Sequence, residues 1–200
     1  SQSGKLSDAA IERALAALKV SGEKVRRRKV VKFRAIATQA CRMATNGQAF
    51  VNRVANETGV RLQIITPQEE ARLSVTGCLN LLDDRHEAAL VVDVGGGSTE
   101  LSWVDLKAAP PVGPPPVRAW LSVPIGVVTL AERFPEGEVA TEGWFRQMVD
   151  HVKTEIAAFK RADPMKPLFD ADKAHLIGTS GAITSLAGMH LRLPRYDRNR

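Results

Sequence analysis

"VVDVGGGSTELSWVDL", residues 91–106, places an acid at the end of an apolar run, then three consecutive glycines, then Ser-Thr-Glu and a second alternating apolar run. Three glycines in succession are costly in backbone entropy, so the bend has a use for the missing side chains. A dinucleotide fingerprint requires G-x-G-x-x-G followed by a helix, and a Walker loop requires a lysine after its last glycine. Neither fits: the lysine is absent, and "TELSWVDL" has the period of a strand. Two readings remain, a plain tight hairpin and a hairpin whose consecutive N–H groups form a concave nest for an anion. In the second, Gly95, Gly96 and Gly97 let oxygen atoms approach the main chain, Ser98 and Thr99 add hydroxyl donors, and Asp93 holds Mg2+ or a water.

Upstream of the turn, helix and strand patterns alternate. "LSDAAIERALAALKV" (6–20) predicts a helix capped by Ser7, with Leu6 stapled against Ile11 and with Ile11, Ala14, Leu15 and Leu18 on one face. "RRRKVVKFRAIAT" (26–38) passes from a charge run, read as a solvated helix end, into a buried strand ending near Thr38. Helices follow around "QACRMA" and over "QAFVNRVANETG", the second stopping at Gly59 with Phe50, Val51, Val54 and Ala55 inward, and "VRLQIIT" is the next strand. In "TPQEEARLSVTGCLNLL" (66–82), Thr66 is the N-cap, Pro67 takes the first helical position and Glu69 falls where a capping-box partner sits. Glu70, turned by about 100° from Glu69, has no such local role and is the better catalytic candidate of the two.

Downstream, "APPVGPPPV" (109–117) predicts a stiff, extended loop inserted between the strands of a hairpin. "AWLSVPIGVVTLAERF" resumes a strand, turns at 124–126 and begins a helix. "GWFRQMVDHVKTEIAAF" repeats Phe145, Met148, Val149, Val152, Ile156 and Phe159 at helical spacing, which predicts a core-facing helix. "AHLIGTSGAITSLAGMHLRL" closes with strand, polar turn and a helix carrying Ile183, Leu186, Ala187, His190 and Leu191 on one stripe, where His190 reads as a core residue. Its "GTSGA" (178–182) places Thr179, Ser180 and Gly181 before a helix, where free N–H groups and the positive helix end receive an anion, although Thr and Ser there are also ordinary caps. Arg42, just after the strand "RAIAT", has the fork geometry to pair with phosphate oxygens, or with a surface acid.

Composition bounds these readings. The 200 residues, 44% hydrophobic, suffice for one large domain or two small ones, and a net charge of +6 favours polyanionic partners. No apolar run approaches the ~20 residues of a bilayer span, and the N-terminus has no secretory pattern. Cys41 and Cys78 sit alone in apolar segments, against a disulfide framework or a zinc site, so cytoplasm is the expected compartment. His86, His151 and His175 share no spacing with an acid or a nucleophile.

"ATQACR", "IITPQEEARLSVTG", "LVVDVGGGSTEL", "SVPIGVVTLAERF" and "GTSGAITSLA", in this order, resemble the exopolyphosphatase/guanosine pentaphosphate phosphatase (Ppx/GppA) family of the actin-like superfamily, over roughly residues 6–198. The resemblance implies an α/β fold of two ribonuclease-H-like domains with a cleft between them, and Mg2+-assisted removal of a terminal phosphate from polyphosphate or from pppGpp, the chemistry of the stringent response. Carried over by position, it implies Glu70 as catalytic base and Asp93 and Glu100 as catalytic and metal-holding acids. It implies Arg42, Gly95, Gly96, Gly97 and Ser98 as phosphate contacts, with Thr179, Ser180 and Gly181 positioning the phosphate chain. Such a site needs water attack in line with the leaving oxygen, with N–H groups and a cation taking up charge on the equatorial oxygens.

The family's first phosphate-binding hairpin has no counterpart before "LSDAA", so the chain is expected to be an internal fragment, with an incomplete domain I over 1–84, a domain II over 85–200 and weak or no activity alone. No nucleic-acid or membrane partner is expected, and a homodimer is one assembly the resemblance allows. The alternative function is a non-catalytic module that binds polyphosphate or alarmone nucleotides in the same cleft. An ATP-dependent kinase fits less well, because "EEARL" beside the glycine hairpin matches the hydrolases.

Overall fold

The computed structural model describes residues 4–110, 113–159, 164–195 and 197, and its chain forms two compact units, Ser1–Pro67 and Gln68–Arg200. In the first, helix α1 (Asp8–Arg27) starts at Ser7, whose Oγ accepts from the N–H of Ala10 at 3.3 Å. Helix α2 (Gln39–Met43) and helix α3 (Gly47–Thr58) follow, and α3 ends at Gly59, whose φ of 72° is the left-handed conformation that favours glycine. Ile11 and Leu15 of α1 meet Phe50 and Val54 of α3 and Val60 in one apolar cluster, with Leu6, Ala14 and Leu18 packed against it. The staple and the inward faces expected of both helices are therefore present.

Strand β1 (Ala35–Ala37) pairs in parallel with β2 (Leu62–Ile64). Here the structure corrects the buried strand expected from residue 30 onward: Val31 is 94% and Phe33 53% exposed. Among the described residues the pairing of β1 begins only at Ala35, so the apolar residues before it have no sheet to enter.

Helix α4 (Pro67–Gly77) opens the second unit and leads through a 3-10 turn at Leu79–Leu81 to its strands. Strands β3 (Ala88–Val94), β4 (Thr99–Asp105) and β5 (Val117–Val123) run antiparallel in succession, and β6 (Ala174–Thr179) adds parallel to β3, giving the order β5-β4-β3-β6. The proline-rich loop thus joins neighbouring antiparallel strands as expected; residues 111–112 lie outside the described ones. Helices α5 (Val127–Arg133), α6 (Glu142–Ile156) and α7 (Lys166–Asp170) fall between β5 and β6, and α8 (Ser180–His190) follows β6.

Successive side chains of a strand face opposite ways, so the sheet builds two cores. Ala89, Val91, Val104 and Ile177 join Val75 and Cys78 on one side, whereas Ala88, Trp103, Ala119 and Ala174 take Phe159, Leu168 and Phe169 on the other. The contribution of Val75 and Cys78 explains why the compact units divide after Pro67, whereas the sequence reading divides the domains at 84/85. The fold is mixed α/β.

Two faces expected in the core are only partly covered: Met148, Val149 and Val152 of α6 and Ile183 of α8 are half-buried, and Phe159 packs against the sheet. No residue of α6 is buried and Phe145 is 59% exposed. On α8, Leu186 is 60% and Leu191 54% exposed, and His190 is exposed rather than a core residue. Helical spacing states which residues share a face, not whether another element covers it.

Val54 is fully buried. Val54→Ala is expected to destabilise the first unit by about 2–3 kcal/mol, read as faster amide hydrogen exchange across α1 and α3, with Val139→Ala (Val139 is 75% exposed) as the unaffected control.

Candidate active site

Strand register assembles the site. Asp93 of β3 lies opposite Glu100 of β4 and beside Thr179 of β6, and Glu100 lies opposite Ser122 of β5. Directly opposed residues project from the same face, so Ser122, Glu100, Asp93 and Thr179 form one polar row across the end of the sheet that carries the glycine turn. Ser180, the next residue, donates from Oγ to Asp93 Oδ1 at 2.6 Å. Its φ of 76° is left-handed, a conformation costing a non-glycine residue about 1–2 kcal/mol. Thr179 makes no side-chain cap to α8, so the ordinary capping role considered for it is not the one it plays; its hydroxyl engages Cys78 instead.

The turn between β3 and β4 has a definite polarity. Two of its carbonyl oxygens are occupied: Gly95 O accepts from Val127 N at 3.0 Å, and Gly96 O accepts from Val128 N at 2.9 Å and Thr129 N at 3.2 Å. The N–H of Gly95 closes the turn onto Ser98 O at 3.0 Å, whereas the N–H groups of Gly96 and Gly97 meet no acceptor among the described residues. Neither Gly95 nor Gly96 uses the left-handed region. Close approach instead requires a glycine outside the triplet, at Gly126, where a Cβ would stand 2.5 Å from both Gly95 O and Gly96 O.

Glu100 is buried, 3% exposed, with Ser122 Oγ donating to its Oε1 at 2.8 Å and the Ser98 hydroxyl also bound to it. Ser98, expected as a phosphate contact, is itself buried and commits its hydroxyl to this carboxyl. Burial pushes the Glu100 carboxyl above its ordinary pKa; the hydroxyls pull it back, and the charges of Glu70 and Asp93 raise it further. That coupling places Glu70, half-buried on α4, within electrostatic reach of the row. Glu69 has a separate partner, with Arg72 Nη2 3.3 Å from its Oε1.

Among the described residues no three His, Cys, Asp or Glu side chains group as a metal cage. Asp93 and Glu100 nevertheless supply hard oxygen donors of the type and number Mg2+ takes from proteins when waters and phosphate oxygens complete its shell, and their mutual repulsion is what a dication relieves.

In the first unit, Arg42 is held by the main chain, its Nη1 donating to Ile65 O at 2.6 Å and its Nη2 to Gln39 Oε1 at 2.8 Å. The structure thus brings Glu70, Asp93, Glu100, the glycine turn, Ser98, Thr179 and Ser180 together in the second unit, while Gly181, with open space around its α-carbon, lies in the first turn of α8. Sequence reasoning missed Ser122, Gly126 and Thr129. All lie in or beside "SVPIGVVTLAERF", but their roles depend on strand register and on a contact between segments distant in the chain.

A family model described as the Ppx/GppA phosphatase family matches residues 1–195. The chain belongs to this family. The solved Ppx/GppA member from Aquifex aeolicus is 29% identical, with a TM-score of 0.70 over 98% of this chain and 58% of its own. An exopolyphosphatase-like protein is 30% identical, with a TM-score of 0.80 over 96% of this chain and 57% of its own. The bifunctional 3-dehydroquinate synthase/phosphatase of Fusobacterium nucleatum is 25% identical over 96% of this chain and 28% of its own length. The chain therefore spans under two thirds of the length of these relatives. Within the Ppx/GppA alignment the glycine turn, its flanking acids and "EEARL" all fall inside the matched residues.

Gly126→Ala is expected to break the seating of α5 on the turn, with a loss of thermal stability well beyond that of Gly96→Ala, since a Cβ at Gly96 meets only Val128 Cγ2 at 3.5 Å. For Glu100 the folded pKa lies above the unfolded one, so its contribution to stability is full below the ordinary glutamate range and lost as pH rises through the folded value. Glu100→Gln, assayed with chelator present, should therefore raise the melting temperature relative to wild type at pH 7 and not at pH 4; equal differences at both would contradict this origin.

Proposed function

We propose that the intact protein is a phosphohydrolase that releases terminal orthophosphate from inorganic polyphosphate or from guanosine pentaphosphate. The observation that carries this reading is the polarity of the glycine turn: the carbonyls of Gly95 and Gly96 are capped by α5, and the N–H groups of Gly96 and Gly97 meet no acceptor among the described residues, beside the paired carboxylates Asp93 and Glu100. Donors without acceptors bind an anion, and neighbouring carboxylates are the groups that handle protons for an attacking water.

In the proposed mechanism the terminal phosphate rests on the N–H groups of the turn, which favour the charge developing on its equatorial oxygens. Glu70 orients a water and accepts its proton during in-line attack. Asp93, fixed by Ser180, and Glu100, fixed by Ser98 and Ser122, would hold Mg2+. When bound, the ion would offset phosphate charge and the repulsion among the acids. Arg42 is assigned a further phosphate contact, in keeping with the family. The wider arrangement, two ribonuclease-H-like domains facing a cleft, is likewise a proposal supported by family membership.

No helix among the described residues is long and apolar enough to cross a membrane, and Cys41 and Cys78 are free, which fits the reducing cytoplasm we propose as its location.

Phosphate release by the intact protein, measured on polyphosphate and on pppGpp with and without Mg2+, tests the reading. Glu70→Gln should lower kcat by about 10²–10⁴-fold with substrate binding retained. Unchanged function in this variant would favour a non-catalytic binding module.

A further inference from the structure

One hydroxyl of α4 belongs to neither the apolar core nor the polar row. The Oγ of Ser74 is buried and has no hydrogen-bond partner among the described residues. A serine or threonine inside a helix commonly bonds back to the carbonyl one turn earlier. Ser21 does so to Ala17 O at 3.0 Å, Thr154 to Asp150 O at 2.8 Å, and Thr76, on α4 itself, to Arg72 O at 2.8 Å. Ser74 does not, so its hydroxyl is available to a partner beyond its own helix.

The surroundings of Ser74 indicate that partner. Residues four apart share a helix face, and at 3.6 residues per turn Ser74 is turned only about 40° from Glu70. The turn is toward Ala71, Val75 and Cys78, which are buried, and Val75 and Cys78 join Val91 and Val104 of the sheet. Ser74 therefore lies between Glu70 and the apolar contact of α4 with the sheet. Strand β4 repeats this order: Glu100, Ser102 and Val104 project from one face, and Ser102 is 2% exposed. Ser102 lies opposite Val91, as Glu100 lies opposite Asp93. The junction of α4 with the sheet thus passes from carboxylates through hydroxyls to aliphatic side chains.

A buried hydroxyl without a partner is costly, and an aliphatic side chain at position 74 would suit the burial without that cost. Buried groups of this kind are satisfied by ordered water, which needs about two to four polar partners. Ser74 and Ser102 supply hydroxyls at one level, and Glu70 and Glu100, whose charges interact, supply carboxylate acceptors one step outward.

We propose that Ser74 is a positioning residue for Glu70: its hydroxyl holds a buried water that donates to the Glu70 carboxylate. This water is distinct from the one that attacks phosphorus. It fixes one carboxylate oxygen from below, so that the other meets the attacking water in a constant orientation. The inference rests on the phosphohydrolase reading and deepens it by naming what orients the base.

The test uses the intact protein. Ser74→Ala should lower kcat for phosphate release from polyphosphate about tenfold, the worth of one hydrogen bond to a charged group. KM should be unchanged, and the melting temperature no lower than that of wild type, since the substitution removes a buried polar group. Ser74→Thr keeps the hydroxyl and should restore kcat. In a Glu70→Gln background Ser74→Ala should have no further effect. NMR of the wild type should show cross-relaxation between a long-lived water and the β-protons of Ser74. An unchanged kcat in Ser74→Ala overturns the proposal, as does the absence of that water signal. A fall in kcat together with a lowered melting temperature also overturns it, since that marks a role in folding alone. If the wild type releases phosphate from no substrate, the phosphohydrolase reading fails by itself. The 13C resonance of the Glu70 carboxyl at fixed pH then decides this proposal: a shift in Ser74→Ala upholds it, and an unmoved resonance overturns it.

Discussion

The carbonyl oxygens of Gly95 and Gly96 are held by the first N–H groups of α5, at a spacing that leaves no room for a side chain at Gly126. Much of the second unit's site follows from that contact. It occupies the carbonyls of Gly95 and Gly96, while the N–H groups of Gly96 and Gly97 meet no acceptor among the described residues. Beside it the start of β4 is tied to the segment that follows β5 through Thr99, whose Oγ1 donates to Ile125 O at 2.6 Å. The turn therefore differs from a plain hairpin in its electrostatics more than in its backbone conformation.

Beside the turn, three carboxylates share one neighbourhood, and the protein handles each differently. Glu100 is buried and tied to two serines, Asp93 accepts from a serine held in a costly conformation, and Glu70 comes from a helix rather than from the sheet. Packing acids together opposes folding unless something of positive charge or strong donor character shares the space. Backbone strain at Ser180 in the same place is typical of a site where binding matters more than local stability.

Much of this could be seen in the residues themselves. The helix of "TPQEEARLSVTG" and the strands flanking "GGGSTE" have strong periodicity and local punctuation, and both formed as expected. The rejection of the dinucleotide and Walker patterns also needed no coordinates, because it turned on a missing lysine and a strand where a helix was required. Less legible were the segments whose burial depends on partners. "VVKF" reads as a buried strand, and Phe145 and Leu186 as core, yet all lie exposed because apolar spacing carries no information about what stands opposite.

The order of elements, the capped start of α1, the left-handed stop at Gly59 and the concentration of charge in Arg26–Arg34 were determined by the sequence alone, since each depends on residues within a few positions of one another. Tertiary structure decided the row Ser122–Glu100–Asp93–Thr179, the capture of the turn's carbonyls by α5, and the commitment of Ser98 to Glu100 rather than to solvent. The reason is physical: register and close approach arise between segments far apart in the chain, where no local rule of spacing reaches.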